Sequence, residues 1–146
     1  MPAGYSGKPL AQKLGIRSGS VVAILDAPDD YDQLLGVLPD GVTVVREPKK
    51  NVDFIQVFAT RRKGLKDQVP RLKGRLKPDG MLWVSWPKRS SKLATDLNDG
   101  LVREVGLKNG LVDVKVCAVD ESWSALKFVR RLKDRHSGSH QKKTVS

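Results

Sequence analysis

Histidine is nearly absent from this sequence: its two copies, His136 and His140, both stand near the C-terminus. No Ser-His-Asp or Cys-His arrangement, and no histidine-bearing zinc site, can be assembled from the residues before them. The expected general base there is a carboxylate or a lysine. Cysteine occurs once, at Cys117 in an apolar run. That excludes an intrachain disulfide, suits a reducing compartment and predicts a buried, inert thiol. No stretch approaches the ~20 apolar residues of a membrane span. The opening MPAGYSGKPLAQKLG lacks the apolar run of a signal peptide. These absences predict a cytoplasmic protein that makes no use of a membrane.

What remains is 146 residues with a net charge of +11. A chain of this length buries roughly two-thirds of its unfolded surface and needs no metal or disulfide to fold. The charge is unevenly spread. Residues 1–59 hold 6 basic and 7 acidic groups, residues 60–94 hold 11 and 2, residues 95–126 hold 3 and 6, and residues 127–146 hold 7 and 1. Two segments therefore carry the whole excess, a field that attracts polyanions and says nothing about fold.

Apolar patterning predicts six strands. They are residues 20–26, 42–47, 52–60, 81–86, 111–119 and 123–131. The first reads VVAIL, a continuous run that fits a strand buried on both faces. Between the strands lie helical patterns. Pro9 to Gly15 is one, and a short helix is expected near residues 29–35. Leu65, Val69, Leu72 and Leu76 mark one face of a longer helix. Pro70 is expected to kink or divide that helix, and Lys77-Pro78-Asp79-Gly80 reads as a tight turn after it. A further helix spans about 96–106, with Leu97, Leu101, Val102 and Val105 inward. The last two strands are separated only by Asp120, Glu121 and Ser122, so they must be antiparallel. Strands alternating with helices imply an α/β fold, a three-layer Rossmann-like, mostly parallel six-stranded sheet ending in an antiparallel hairpin. The expected organisation is one domain over residues 1–134, beginning with a flexible lead-in at 1–7, and a flexible basic tail over 135–146.

Three segments resemble the S-adenosylmethionine-dependent methyltransferases. LKPDGMLWVSW is similar to their helix–turn–strand step, GLVDVKVCAVDESWSALKFVRR to their final hairpin, and KLGIRSGSVVAILDAP to the approach to their first strand. The resemblance implies a shortened version with one strand–helix unit missing and the strand order 2-1-3-4-6-5. Taken whole, the sequence resembles an uncharacterised bacterial family known only as a domain of unknown function. The similarity lies in GYSGKPLAQKLGI, LWVSWPK, ATDLNDGLVREV and GLVDVKVCAVDESWSALKFV, spread over residues 4–129. That resemblance supports the fold and brings no activity with it.

The methyltransferases place a glycine-rich turn after their first strand. Here the turn is Asp26-Ala27-Pro28-Asp29-Asp30, which argues against S-adenosylmethionine in the usual mode; no cofactor is predicted. Glu47, ending the second strand, stands where the resemblance implies a ribose-binding acid. Asp26, Asp29, Asp30 and Asp32 offer oxygens to a hard cation, but aspartates also favour helix starts, and no metal is predicted. Trp86 and Lys88 after the fourth strand, with Asp120 and Trp123 at the hairpin, are expected near one another. They could line a pocket for a planar or anionic ligand, or simply cap the core. Arg61, Arg62, Lys66, Arg71, Lys73, Arg75, Arg130 and Arg131 could track phosphates, or form a solvated face. No aromatics are interleaved among them for base stacking.

Three readings follow. The first is a non-catalytic or regulatory Rossmann-like module that binds a protein or small ligand. The second is a nucleic-acid-associated protein using the basic helix and tail. The third is a degenerate methyltransferase-like enzyme with an altered cofactor pocket.

Overall fold

A computed structural model describes residues 8–135. The expected lead-in, most of the expected tail and both histidines lie outside the described residues. The elements are α1 (Leu10–Leu14), β1 (Val21–Leu25), α2 (Tyr31–Leu35), β2 (Thr43–Val45), β3 (Val52–Phe58), α3 (Arg62–Lys73), β4 (Leu76–Pro87), α4 (Asp99–Lys108), β5 (Leu111–Ala118) and β6 (Trp123–Arg130). The strands form one six-stranded sheet in the order β2-β1-β3-β4-β6-β5. β2, β1, β3 and β4 are parallel, while β6 runs antiparallel to both β4 and β5. This is the mixed α/β architecture and strand order that the sequence implies.

Each sheet face carries its own core. On one side α3 and α4 lay Leu65, Val69, Leu72, Val102 and Val105 against Ile55, Val57, Leu82, Val84 and Leu126. On the other, α1 and α2 lay Leu10, Leu14, Tyr31 and Leu35 against Phe54, Phe58, Trp83 and Trp123. The central strands are apolar on both faces because both faces are covered. α4 comes so close to the sheet that a Cβ on Gly106 would sit 2.1 Å from Phe128 Cε1.

Several sequence expectations are corrected. Pro70 neither divides nor ends α3, which runs from Arg62 to Lys73. Pro70 is exposed, so water can satisfy the Lys66 carbonyl that the ring leaves without its usual donor. Residues 77–80 are not a free turn. Leu76 already pairs with Val52, and pairing resumes at Met81 with Phe54. The extra residues make an irregularity within β4, folded so tightly that a Cβ on Gly80 would meet Leu76 Cδ2 at 2.9 Å and the Asp53 and Val52 carbonyl oxygens at 3.1 Å. α4 starts at Asp99 instead of near residue 96, because Asn98 is its N-cap and accepts the Leu101 N–H at 2.9 Å. Leu97 is buried ahead of the helix. Arg135 stands in a helical turn over 132–135 and donates from Nε to the Arg130 carbonyl at 2.9 Å. No helix among the described residues is long and apolar enough to cross a membrane.

Candidate functional site

The chain leaves β1 for β2 on one side and returns to β3 on the other, so strand order reverses between β1 and β3. Ligands of open α/β sheets bind beyond the carboxyl ends of the strands at such a point. Here those ends carry three loops. Residues 26–30 follow β1, residues 59–61 lead into α3, and the β5–β6 hairpin brings Asp120 to Trp123 to the same rim.

A cleft of about 340 Å³ opens at this point, lined by Asp26, Phe58, Ala59, Thr60, Arg61, Gly64, Gln68 and Trp123 among others. A wider depression of about 710 Å³ adjoins it, walled by Asp29, Asp30, Tyr31, Lys92, Leu93, Asp120 and Trp123. Trp123 belongs to both. Its ring packs edge-on to Phe58, with centroids 5.1 Å apart at 82°, and Phe58 packs likewise on Tyr31 at 4.9 Å and 73°.

Beneath the aromatic floor runs a buried polar chain. Tyr31 Oη donates to Gln56 Oε1 at 2.6 Å, and Gln56 Nε2 donates to Ser85 Oγ at 3.0 Å. All three residues are buried. Burial pushes the Tyr31 phenol above its ordinary pKa, partly offset by the bond to Gln56, so Tyr31 remains a neutral donor. The chain ties α2 to β3 and β4 directly under the cleft.

The turn after β1 lacks glycine but keeps two glycine-like backbone conformations. Asp26 has φ 56° and Asp30 has φ 66°, values that aspartate adopts more readily than most residues. The positive φ is therefore supplied; the close approach is not, since each position carries a carboxylate where glycine has none.

The sequence-predicted residues fall into separate places. Asp26 and Trp123 share the cleft. Glu47 is bonded to the Arg71 guanidinium, and Arg71 also donates to Gln68. Asp120 rims the wider depression, where its Oδ1 accepts the Ser122 and Trp123 N–H groups at 2.8 Å each and so shapes the hairpin turn. Lys88 is half-buried, with its N–H bonded to the Ser122 carbonyl at 2.8 Å. Trp86 does not join Trp123. Pro87 pairs with Trp123 and Trp86 with Ser124, so alternation places the two indoles on opposite faces of the sheet. Trp86 lies in the core under α3 and α4. The site residues that sequence reasoning missed include Tyr31, Gln56, Phe58, Thr60 and Gln68. The one signal for them was a glutamine inside the apolar run VDFIQVF.

The basic residues divide as well. Lys73 Nζ donates to the Asn109 carbonyl at 2.7 Å, and Arg75 to the carbonyls of Pro48 and Lys49 at 3.2 and 3.0 Å. Arg130 reaches the carbonyls of Lys73, Leu76 and Lys77 at 2.6, 3.2 and 2.9 Å. With Arg71 held by Glu47, four of the eight candidates bond within the fold. Arg61, Arg62, Lys66 and Arg131 are exposed.

No family model matches this chain, and no curated protein matches it. Solved structures do. A SAM-dependent methyltransferase from Aquifex aeolicus superposes with a TM-score of 0.57 at 13% identity, over 80% of this chain and 85% of that one. A putative type 11 methyltransferase from Sulfolobus solfataricus gives 0.59 at 14%, over 84% and 89%. The magnesium protoporphyrin IX methyltransferase of Synechocystis PCC 6803, with bound SAM, gives 0.56 at 10%, over 84% and 74%. At such identities the likeness shows the fold alone, which is methyltransferase-like and Rossmann-type.

Proposed function

We propose that residues 1–134 work as one Rossmann-like ligand-binding domain, non-catalytic or regulatory, with its ligand in the cleft between the ends of β1 and β3. The observation that carries this reading is the cleft's lining. A carboxylate (Asp26), a guanidinium (Arg61), an amide (Gln68) and a hydroxyl (Thr60) surround an aromatic floor of Phe58 and Trp123. Those groups suit a small molecule with an apolar or planar part and charged or hydrogen-bonding ends. What the walls offer is recognition.

S-adenosylmethionine in the usual mode does not fit these residues. The turn after β1 presents carboxylates where close backbone approach is needed, and Glu47 is engaged by Arg71. A ligand here would meet the side chains of Asp26 and Arg61 instead of a bare glycine backbone.

The test is native mass spectrometry of the gently purified chain, set against its denatured mass and followed by titration with S-adenosylhomocysteine. The expected result is a small-molecule adduct, lost on denaturation, absent from Asp26→Asn and Arg61→Gln, and not displaced by S-adenosylhomocysteine. Asp26 and Arg61 are exposed, so both variants should fold. An adduct retained by both variants would overturn the placement of the site. The absence of any adduct in the wild type would overturn the ligand-binding reading. Displacement by S-adenosylhomocysteine would restore the cofactor-binding alternative.

A further inference from the structure

The two edges of the sheet differ. β2 is three residues long, whereas β5 runs for eight and pairs on one side only, with β6. The outer N–H and C=O groups of β5 therefore have no strand partner among the described residues, and such an edge is a template for another strand. The side chains beside it are apolar and open. Val116 pairs with Leu126, and Ala118 with Ser124. Leu126 lies in the core under α3 and α4, and residues directly opposite one another share a face. Val116 and Ala118 therefore rise on that side, and alternation about Lys115 puts Val114 there too. α4 reaches β5 at Arg103, whose Nε donates to Asp113 Oδ2 at 2.9 Å. Past that point the face is uncovered: Val114 is 56% exposed, Val116 is 58% exposed, and Ala118 is exposed as well.

The two ends of this edge carry opposite charge. Around the hairpin stand Asp29, Asp30, Asp120 and Glu121, against Lys88 and Lys92. At the other end Leu111 pairs with Arg130. There Lys73, Lys108, Arg130 and Arg131 stand against Glu104 and Asp134. A second copy of the chain laid antiparallel on β5 brings its basic end to the acidic end of the first, and its acidic end to the basic one. Charge is then complementary at both ends. A parallel arrangement would set like ends together.

Lys115 narrows the register. Pairing centred on Lys115 would put two lysines directly opposite, which is destabilising. Centred on Val116, the pairing sets Val116 against its own counterpart, Val114 against Ala118, and Lys115 against Cys117. The three exposed apolar residues then meet on one face. The irregularity between Asp113 and Lys115 interrupts the strand there, so the regular contact covers residues 114–118.

We propose that this chain forms a two-fold dimer in which β5 pairs antiparallel with β5 of a second copy, centred on Val116. The assembly closes at two copies, because β5 is the one long free edge of the sheet. Each copy keeps its own cleft, so the dimer does not depend on the ligand-binding reading. A contact of this length is smaller than a standard protein interface and fits an affinity in the micromolar range.

The experiment is sedimentation velocity of the full chain, loaded from about 1 to about 200 μM to bracket a micromolar dissociation constant. The wild type is compared with Val116→Lys and Glu121→Lys. Both positions are exposed, and a melting curve of each variant checks that it is folded. The wild type should pass from the 16.1 kDa monomer to twice that mass, and the shift should weaken as sodium chloride is raised. Val116→Lys places two ammonium groups opposite one another on the axis and should raise the dissociation constant about tenfold or more. Glu121→Lys reverses a charge at the acidic end and should weaken the dimer at low salt. If Val116→Lys fails to fold, Glu121→Lys carries the test. A wild type that stays monomeric at the highest loading would overturn the proposal and leave the edge to an unlike chain. A dimer indifferent to both substitutions would place the contact on another face and overturn it equally.

Discussion

Tyr31 donates its phenolic hydrogen to Gln56 Oε1 across 2.6 Å, and neither residue has appreciable contact with solvent. Tyr31→Phe removes the donor and leaves a buried amide oxygen alone, at a cost of about 1–3 kcal/mol. Adding Gln56→Leu removes the stranded acceptor, so the double variant should be less destabilised than the sum of the singles. Urea unfolding of the four proteins measures this; strict additivity would mean that the bond contributes nothing. The same pair sets an alkaline limit. Burial raises the folded phenol's pKa above the unfolded value of about 10, so the folded state holds its proton more tightly. That contribution is complete below about pH 10 and is lost as pH climbs toward the raised folded value. Wild-type stability should therefore fall more steeply above pH 10 than that of Tyr31→Phe.

Gly106 faces the Phe128 ring, and an added Cβ would lie 2.1 to 2.6 Å from three of its atoms. Alanine improves helix propensity by about 1 kcal/mol. Overpacking a fixed ring costs about 1–3 kcal/mol and sometimes more, and Phe128 is buried with little room to turn. The clash should win, so Gly106→Ala should lower the melting temperature. A stabilised variant would mean that α4 rides farther from β6 than this contact requires.

Asp53 joins three strands. Its Oδ2 accepts the Val21 N–H at 2.8 Å at the start of β1, and its Oδ1 pairs with Lys77 at 2.9 Å in the irregular part of β4. Partial burial raises its pKa, but the Val21 N–H and Lys77 together outweigh this and hold the carboxyl below its ordinary range. With the folded pKa depressed, the contribution is present above about pH 4 and is lost as pH falls through the folded value. Asp53→Asn should be about 1–2 kcal/mol less stable at pH 7. Denaturant midpoints along an acid series should show that gap closing below about pH 4. A gap that stays constant to pH 2 would place the effect in packing instead of charge.

The sheet was legible because its central strands are compact apolar runs, and the short hairpin between residues 119 and 123 forces an antiparallel pair. The irregularity at residues 77–80 was not. Its proline and glycine are ordinary turn residues, and only the pairing of Leu76 with Val52 shows that the strand has already begun. The separation of Trp86 from Trp123 depended on hairpin register. One residue of slip would have put both indoles on one face, and nothing in the composition fixes that slip. The cleft was legible as a place, through Asp26 at the end of β1 and Trp123 at the hairpin, but the rest of its floor was not. Tyr31 and Phe58 are far from Trp123 in sequence and meet it only through the strand order.

Charge was the least legible property, because a sequence counts cations without showing their acceptors. Arg130 is the clearest case, half-buried and bonded to three carbonyls in and just after α3. Arg130→Met strands those acceptors and should cost about 1–3 kcal/mol of stability. The exposed set Arg61, Arg62 and Lys66 behaves differently. Changing all three to glutamine should leave the melting temperature within about 2 °C, since surface substitutions away from special contacts are usually small. Measuring duplex affinity at several salt concentrations separates the two kinds of cation. If this face binds nucleic acid, the triple variant should flatten the salt slope by up to about three charges, while Arg130→Met leaves the slope unchanged at temperatures where it is folded. An unchanged slope in the triple variant would remove the outer face of α3 as a nucleic-acid surface.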